Sequence, residues 1–227
     1  MMQEYLDFAK RNTEYFNNDQ AMIKIILDPD SIHSWEESKK KDLADKNLPP
    51  EWSKIGIILD DPYILVIRDL VEFPSGRLGS YFRVLNQADL KEGQGVVILL
   101  RMNGKYLLLH QYRHPIRSWS YEIPRGFGEP GVPANEQAKI EVKEEIKGEI
   151  TELIDLGEYH SNTGLEGNRV KLFLANLNSV GKPAAQEGIE SFSFVSINEF
   201  EDMIASAKIT DGFTIAAYTR AKLRGLL

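Results

Sequence analysis

Two spacings alternate along this chain. Near its start, Tyr5, Phe8, Ala9, Asn12 and Phe16 recur at helical intervals, and Ile32, Trp35, Lys39 and Leu43 repeat the pattern. Residues 1–52 therefore predict a helical extension of two amphipathic helices, with IKIIL at 23–27 as a strand between them. The LPPEW segment at 48–52 ends that pattern, because two prolines disfavour a helix through them. From Lys54 the period becomes two. KIGIILD, PYILVIRDLVEF and SYFRVLN read as strands of a small β region over residues 53–92, with PSGR at 74–77 turning the last two. A glycine-containing joint at 92–95 leads into the main domain, residues 93–227. There VVILLR and KYLLLHQYR flank Asn103-Gly104, a strong hairpin signal. A helix is expected over about 133–146, strands near 154–159, 169–175 and 191–195, and helices near 197–207 and 214–223. This order predicts an α/β or α+β domain with layers on both faces of a mixed sheet.

Composition narrows the function. Asp and Glu number 34 against 27 Lys and Arg, a formal charge of −7, which argues against a nucleic-acid partner and leaves only a local basic pocket. With no cysteine, disulfides, thiolate zinc sites and thiol nucleophiles are excluded. His33, His110, His114 and His160 show no HExxH spacing. The longest unbroken apolar run, Val96 to Leu100, is far short of the roughly 20 residues that span a bilayer. The start MMQEYLDFAK lacks a basic-then-apolar signal pattern, so a cytoplasmic protein without a membrane partner is expected. The mixed charges from Glu36 to Lys41 read as a solvated helix face.

The informative stretch is YEIPRGFGEPGVPANEQAKIEVKEEIKGEI at 121–150: a strand, a glycine loop, then a helix. Pro133 suits a first helical turn and Glu136 complements its positive end. Glu141, Glu144 and Glu145 stand at i, i+3 and i+4, neighbours about 5–6 Å apart on the helix surface. At about 100° per residue, Glu141 and Glu145 lie beside the apolar stripe of Ala138, Val142 and Ile146. Carboxylates turned toward a core lose hydration, and an oxygen-preferring cation such as Mg²⁺ or Mn²⁺ would compensate them. The alternative is a solvated face shared with Lys139, Lys143 and Lys147. Gly126, Gly128 and Gly131 also match GxGxxG, but Pro130 and Pro133 delay the helix beyond the glycines, which does not suit a dinucleotide pyrophosphate.

Glycine loop, fixed gap and E-V-x-E-E helix resemble the Nudix box, G-x5-E-x7-R-E-U-x-E-E-x-G-U with U aliphatic, of hydrolases that act on nucleoside diphosphates linked to another group. Anchored on Gly126, residues Glu141, Val142, Glu144 and Glu145 fall in register; Val132, Ile140 and Lys147 depart, with Gly148 one place late. The segments at 63–85, LLHQYRHPIRSWSYEIPRG at 108–126, RVKLFLA at 169–175, EGIE at 187–190 and DGFTIAA at 211–217 are similar to the ADP-ribose pyrophosphatase branch. Residues 55–227 are covered.

The resemblance implies a Nudix α/β/α sandwich in which a glutamate-held cluster of Mg²⁺ or Mn²⁺ bridges a pyrophosphate and activates water. By motif, Glu141 and Glu145 would be the main ligands, Glu144 a further or water-mediated one, and the Arg125 carbonyl a backbone ligand. Glu187, with Glu190 second, would be the base or ligand on the later loop. Arg113 would meet phosphate or the distal ribose, since a guanidinium fork fits phosphate. Trp119 and Glu122 would shape the substrate pocket, while Arg68 and Arg83 would reach the nucleotide across a homodimer interface. Thr163 stands where that branch often has a proline, which leaves open which nucleoside diphosphate sugar is the substrate. In the family the residues matching Val132 and Ile140 brace the loop against the helix; two apolar groups suggest a paired replacement, with the side chains in contact. A non-catalytic nucleotide-sugar sensor, a hydrolase of another diphosphate and an interaction module led by the N-terminal helices are the competing readings.

Overall fold

A computed structural model describes residues 2–227 and divides the chain into two units, the first running to Leu90 and including Asn162–Gly167, the second comprising Lys91–Ser161 and Asn168–Leu227. In the first unit, α1 (Met2–Arg11) and β1 (Lys24–Ile25) precede α2 (Pro29–Asp45), whose entry is fixed by Asp28 accepting from the Ser31 N–H at 2.8 Å. Strands β2 (Gly56–Asp60), β3 (Ile64–Glu72) and β4 (Leu78–Asn86) follow, with β3 pairing antiparallel to β1, β2 and β4. Tyr5, Ala9 and Ile32 of the helices pack with Leu65, Ile67, Leu70 and Leu85 of the sheet, so residues on both sides of position 52 share one core. Phe16 is buried but lies beyond the end of α1; it packs edge-on against Tyr5 and Phe8 from a turn. Of IKIIL, only Lys24 and Ile25 pair as strand, opposite Glu72 and Val71.

The second unit opens with β5 (Gly95–Met102) and β6 (Lys105–Arg113), joined at Asn103 and Gly104 with φ of 52° and 73°, as the dipeptide predicts. Then come β7 (Ser118–Glu122), β8 (Arg125–Gly126), α3 (Ala134–Ile146), β9 (Glu149–Tyr159), β10 (Val170–Ser179), β11 (Ile189–Val195), α4 (Ile197–Ala205) and α5 (Gly212–Leu223). The sheet order is β11-β6-β5-β10-β9, with β7 beside β6 and β8 beside β5; β5 and β10 run parallel and the other pairs antiparallel.

The VVILL run is explained by burial on both faces. Val96, Ile98 and Leu100 pack with Ala138, Val142 and Ile146 of α3, whereas Val97 and Leu99 join Phe200 of α4 and Ala217 and Ala221 of α5. The result is the mixed α/β/α sandwich that the sequence predicts. β9 begins earlier than expected, because Glu149–Leu153 continues the antiparallel ladder with Ala175–Ser179, although its polar residues hide the strand period. Among the described residues, no helix is long and apolar enough to cross a membrane.

Candidate active site

The glycine loop and α3 meet at a close approach. β8 places Gly126 opposite Val96, and the Glu141 carboxylate rests against it: a Cβ built on Gly126 would lie 1.6 Å from Glu141 Oε1. Gly128, at φ 85°, is pressed against the Gln94 backbone, where a Cβ would meet the carbonyl oxygen at 2.4 Å. A side chain at Gly126 would push the loop off the helix, and one at Gly128 would push it off the Gln94 backbone. α3 ends at Lys147, held left-handed at φ 52° where the box has glycine. Gly148 is excluded from bearing a side chain by Val142 and Ile146, whose atoms a Cβ would approach to 2.9 and 3.1 Å.

On α3 the three carboxylates have different surroundings. Glu144 is exposed, Glu141 half-buried, and Glu145 only 6% exposed. Glu145 Oε2 has no hydrogen-bond partner. Burial first, and the neighbouring Glu141 charge second, push the Glu145 carboxyl up to about 8, against the pull of Arg113 and Arg125. Burial likewise raises Glu141, assisted by the charges of Glu144, Glu129 and Glu187 and opposed by a hydrogen bond from Gln137. Glu187 is exposed, yet its charge is felt by both Glu141 and Glu145, whereas Glu190 is 2.7 Å from His110 Nδ1.

Opposite these acids is a buried ionic network. Glu122, 2% exposed, accepts from Arg113 Nε at 2.8 Å and from Arg125 Nη2 at 3.0 Å. Burial alone would raise its carboxyl, but the two guanidiniums outweigh that and hold it below the usual range. Arg125 also lies 3.6 Å from Asp211 and over the Phe213 ring. Asp211 in turn caps α5, accepting from the Thr214 N–H and hydroxyl, and the Thr214 hydroxyl accepts from the Ile123 N–H. The DGFT and YEIPR segments are thereby one unit of structure. Arg113 Nη2 sits 2.6 Å from Glu122 Oε2 as an ion pair but is not aligned for a hydrogen bond, which leaves a buried donor unsatisfied. Gln111 Oε1 is a buried acceptor without a partner, although its Nε2 donates to the Glu187 carbonyl.

Trp119 is 48% exposed and therefore not core; it stacks on His110 at 4.7 Å, which stacks on Tyr121 at 4.9 Å. Arg68, Arg83 and Thr163 belong to the first unit. Arg68 Nη1 donates to the carbonyls of Glu51, Trp52 and Lys54, and Arg83 pairs with Asp69 and donates to the Tyr15 carbonyl. Arg83 and Thr163 line a cavity of about 320 Å³ together with Asp69, Tyr81 and Phe82. Val132 and Ile140 are both half-buried. The residue that sequence reading missed is Gln137: buried on α3, it hydrogen-bonds both the loop and Glu141.

The NUDIX domain family matches residues 90–213, more than half of the chain. The chain belongs to the Nudix family. A curated relative, the ADP-ribose pyrophosphatase of Bacillus subtilis (strain 168), is 25% identical over 192 residues, covering 82% of this chain and 97% of the relative. The crystal structure of an ADP compounds hydrolase superposes with a TM-score of 0.64 at 16% identity, over 77% of this chain and 95% of that one, a likeness of fold.

The acids suit the hard divalent ions that Nudix hydrolases generally use. A buried carboxylate oxygen without a donor, beside a second carboxylate, is an electrostatic fault that a cation would repair. Among the described residues no group of three His, Asp or Glu side chains is placed to hold a metal ion. Mg²⁺ seldom needs one, since it is commonly held by one or two carboxylates together with substrate phosphates and water.

Proposed function

We propose that this Nudix protein hydrolyses the pyrophosphate bond of ADP-ribose or a related nucleoside diphosphate sugar, releasing a nucleoside monophosphate and a sugar phosphate, with Mg²⁺ or Mn²⁺ as cofactor. The observation that carries the reading is the buried Glu145 with an unsatisfied oxygen beside Glu141, in register with the Nudix box. Glu141 and Glu145 would hold the ion, with Glu144 and the Arg125 carbonyl as further ligands. Bound there, the ion would neutralise diphosphate oxygens and acidify water.

The chain's own groups supply the rest. Glu187 accepts the proton of the water whose oxygen attacks phosphorus, and the bridging P–O bond breaks, leaving one phosphate on each product. Arg113, with a buried donor unmatched by Glu122, is oriented by that glutamate to meet a phosphate oxygen. Glu122 thus acts by aiming Arg113 and Arg125, and Trp119 offers an exposed ring for a substrate base or sugar. By resemblance, Arg68 and Arg83 would reach the nucleotide across a homodimer interface, and Thr163 is a further proposed substrate contact. A cytoplasmic homodimer is part of the same proposal; exposed Ile58, Leu59 and Tyr63 provide apolar surface for a second copy.

The test is incubation with Mg²⁺ or Mn²⁺ and a panel of ADP-ribose, other nucleotide sugars, dinucleotide polyphosphates and triphosphates, followed by chromatography of the products. Conversion of a nucleotide sugar to a monophosphate and a sugar phosphate is expected. A non-catalytic nucleotide-sugar sensor is the second reading, favoured by the missing acid and base at positions 132 and 140. Inertness across the panel, with ligand-dependent thermal stabilisation, would favour it.

A further inference from the structure

Positions 132 and 140 lack the charged pair that the box uses to brace its loop against its helix, yet the loop in this chain is held. The Glu129 N–H donates to Gln137 Oε1 at 3.1 Å, which fixes which end of the amide is oxygen. Gln137 Nε2 therefore faces the other way, and it donates to Glu141 Oε1 at 2.8 Å. The two residues are one turn apart on the same edge of α3, where i and i+4 side chains meet. Gln137 is 2% exposed, so water does not compete for either bond. From the far side the loop is tied by the Gly131 N–H to the Lys91 carbonyl at 2.8 Å. Glu141 is thus fixed through one oxygen by a neutral donor, and its other oxygen is left for a ligand.

We infer that Gln137 is a positioning residue that replaces the missing brace, linking the glycine loop to Glu141 and aiming that carboxylate at the metal and diphosphate. The inference rests on the function proposed above. It explains how Val132 and Ile140 coexist with an intact glutamate register: the polar link has moved from those positions to a side chain on the inner edge of the same helix. A neutral amide suits this place, because a cationic brace would compete with the ion for Glu141, and an acidic one would add to a site already crowded with negative charge.

The test is Gln137→Met, which preserves length and packing while removing both hydrogen bonds. Free Mn²⁺ is followed by electron paramagnetic resonance during titration of the full-length protein, and kinetics are measured on the nucleotide sugar that the panel identifies. Loss of a group that orients a ligand typically costs about 10–100-fold in metal affinity or activity, so Mn²⁺ affinity and kcat should both fall in that range while KM changes less. Adding Val132→Glu and Ile140→Arg to Gln137→Met should restore most of the loss. Gln137→Leu repeats the measurement if methionine impairs folding. Wild-type Mn²⁺ affinity and kcat in either single variant would overturn the inference, as would failure of the added pair to restore them. A wild-type protein that binds no Mn²⁺ would instead defeat the functional reading itself.

Discussion

Each unit buries a carboxylate near arginine, and the two are treated in opposite ways. In the first unit Asp69, 1% exposed, accepts from the Tyr5 hydroxyl at 2.7 Å and from Arg83, whose remaining donor caps the Tyr15 carbonyl. The Tyr5 hydroxyl is correspondingly harder to ionise, through burial and the adjacent Asp69 charge. In the second unit Glu145 is buried almost as deeply, but one oxygen has no donor, and the nearest guanidiniums are claimed by Glu122. A satisfied network stiffens a core, whereas an unsatisfied buried charge lowers stability and persists where a ligand completes it. Asp69 and Arg83 are thus held by partners within their own unit, whereas Glu145 keeps a buried oxygen open to a ligand, as the proposed function requires.

The largest expected effect breaks the second half of that contrast. Glu145→Gln should lower kcat on the order of 10³-fold or more in steady-state assays, as loss of a principal catalytic group does. Urea unfolding without metal at neutral pH should show it no less stable than wild type, because an amide removes the cost of holding a buried carboxyl protonated above its ordinary range. The next effect breaks the first half: Asp69→Asn leaves Arg83 without its counter-charge and should cost about 3 kcal/mol in urea unfolding, the usual result of splitting a buried pair.

Smaller, but sharper in sign, is the pH dependence. Glu145 has a folded-state value of about 8 against an ordinary 4.5, so the folded protein retains that proton more strongly than the unfolded chain. Its contribution to stability is therefore complete below about pH 4.5 and lost as pH rises through about 8. Melting curves without metal should fall across this window more steeply for wild type than for Glu145→Gln, and Mn²⁺ should flatten the wild-type curve. The smallest effect is at the end of α3, where Lys147 occupies a left-handed conformation that glycine adopts freely. Lys147→Gly should stabilise by about 0.5–1 kcal/mol in the same unfolding assay.

What could be read from the sequence was local. Asn103-Gly104 carries its own turn, the VVILL run its burial, and the spacing from Gly126 to Glu145 depends on one loop and one helix. What could not be read depends on partners far apart in the chain. Asp211 and Arg125 are joined only when α5 docks on the sheet, and Asp69, already beside Arg83 on the paired strands β3 and β4, meets Tyr5 only when α1 folds onto that unit. Arg68 and Arg83 look like free cations in sequence because the carbonyls and carboxylate that hold them lie elsewhere. Gln137 was hidden differently: a glutamine on a charged helix reads as surface until the loop folds over it. Its signal was the apolar stripe of Ala138, Val142 and Ile146, on whose margin it lies one turn before Glu141.

The most direct measurement is a crystal of the protein soaked with Mn²⁺ and a non-hydrolysable nucleotide sugar, with data collected at the manganese absorption edge. An anomalous peak held between Glu141 and Glu145, with the diphosphate against it, is the predicted result. Ordered diphosphate with no peak there, and both carboxylates turned to water, would contradict the account.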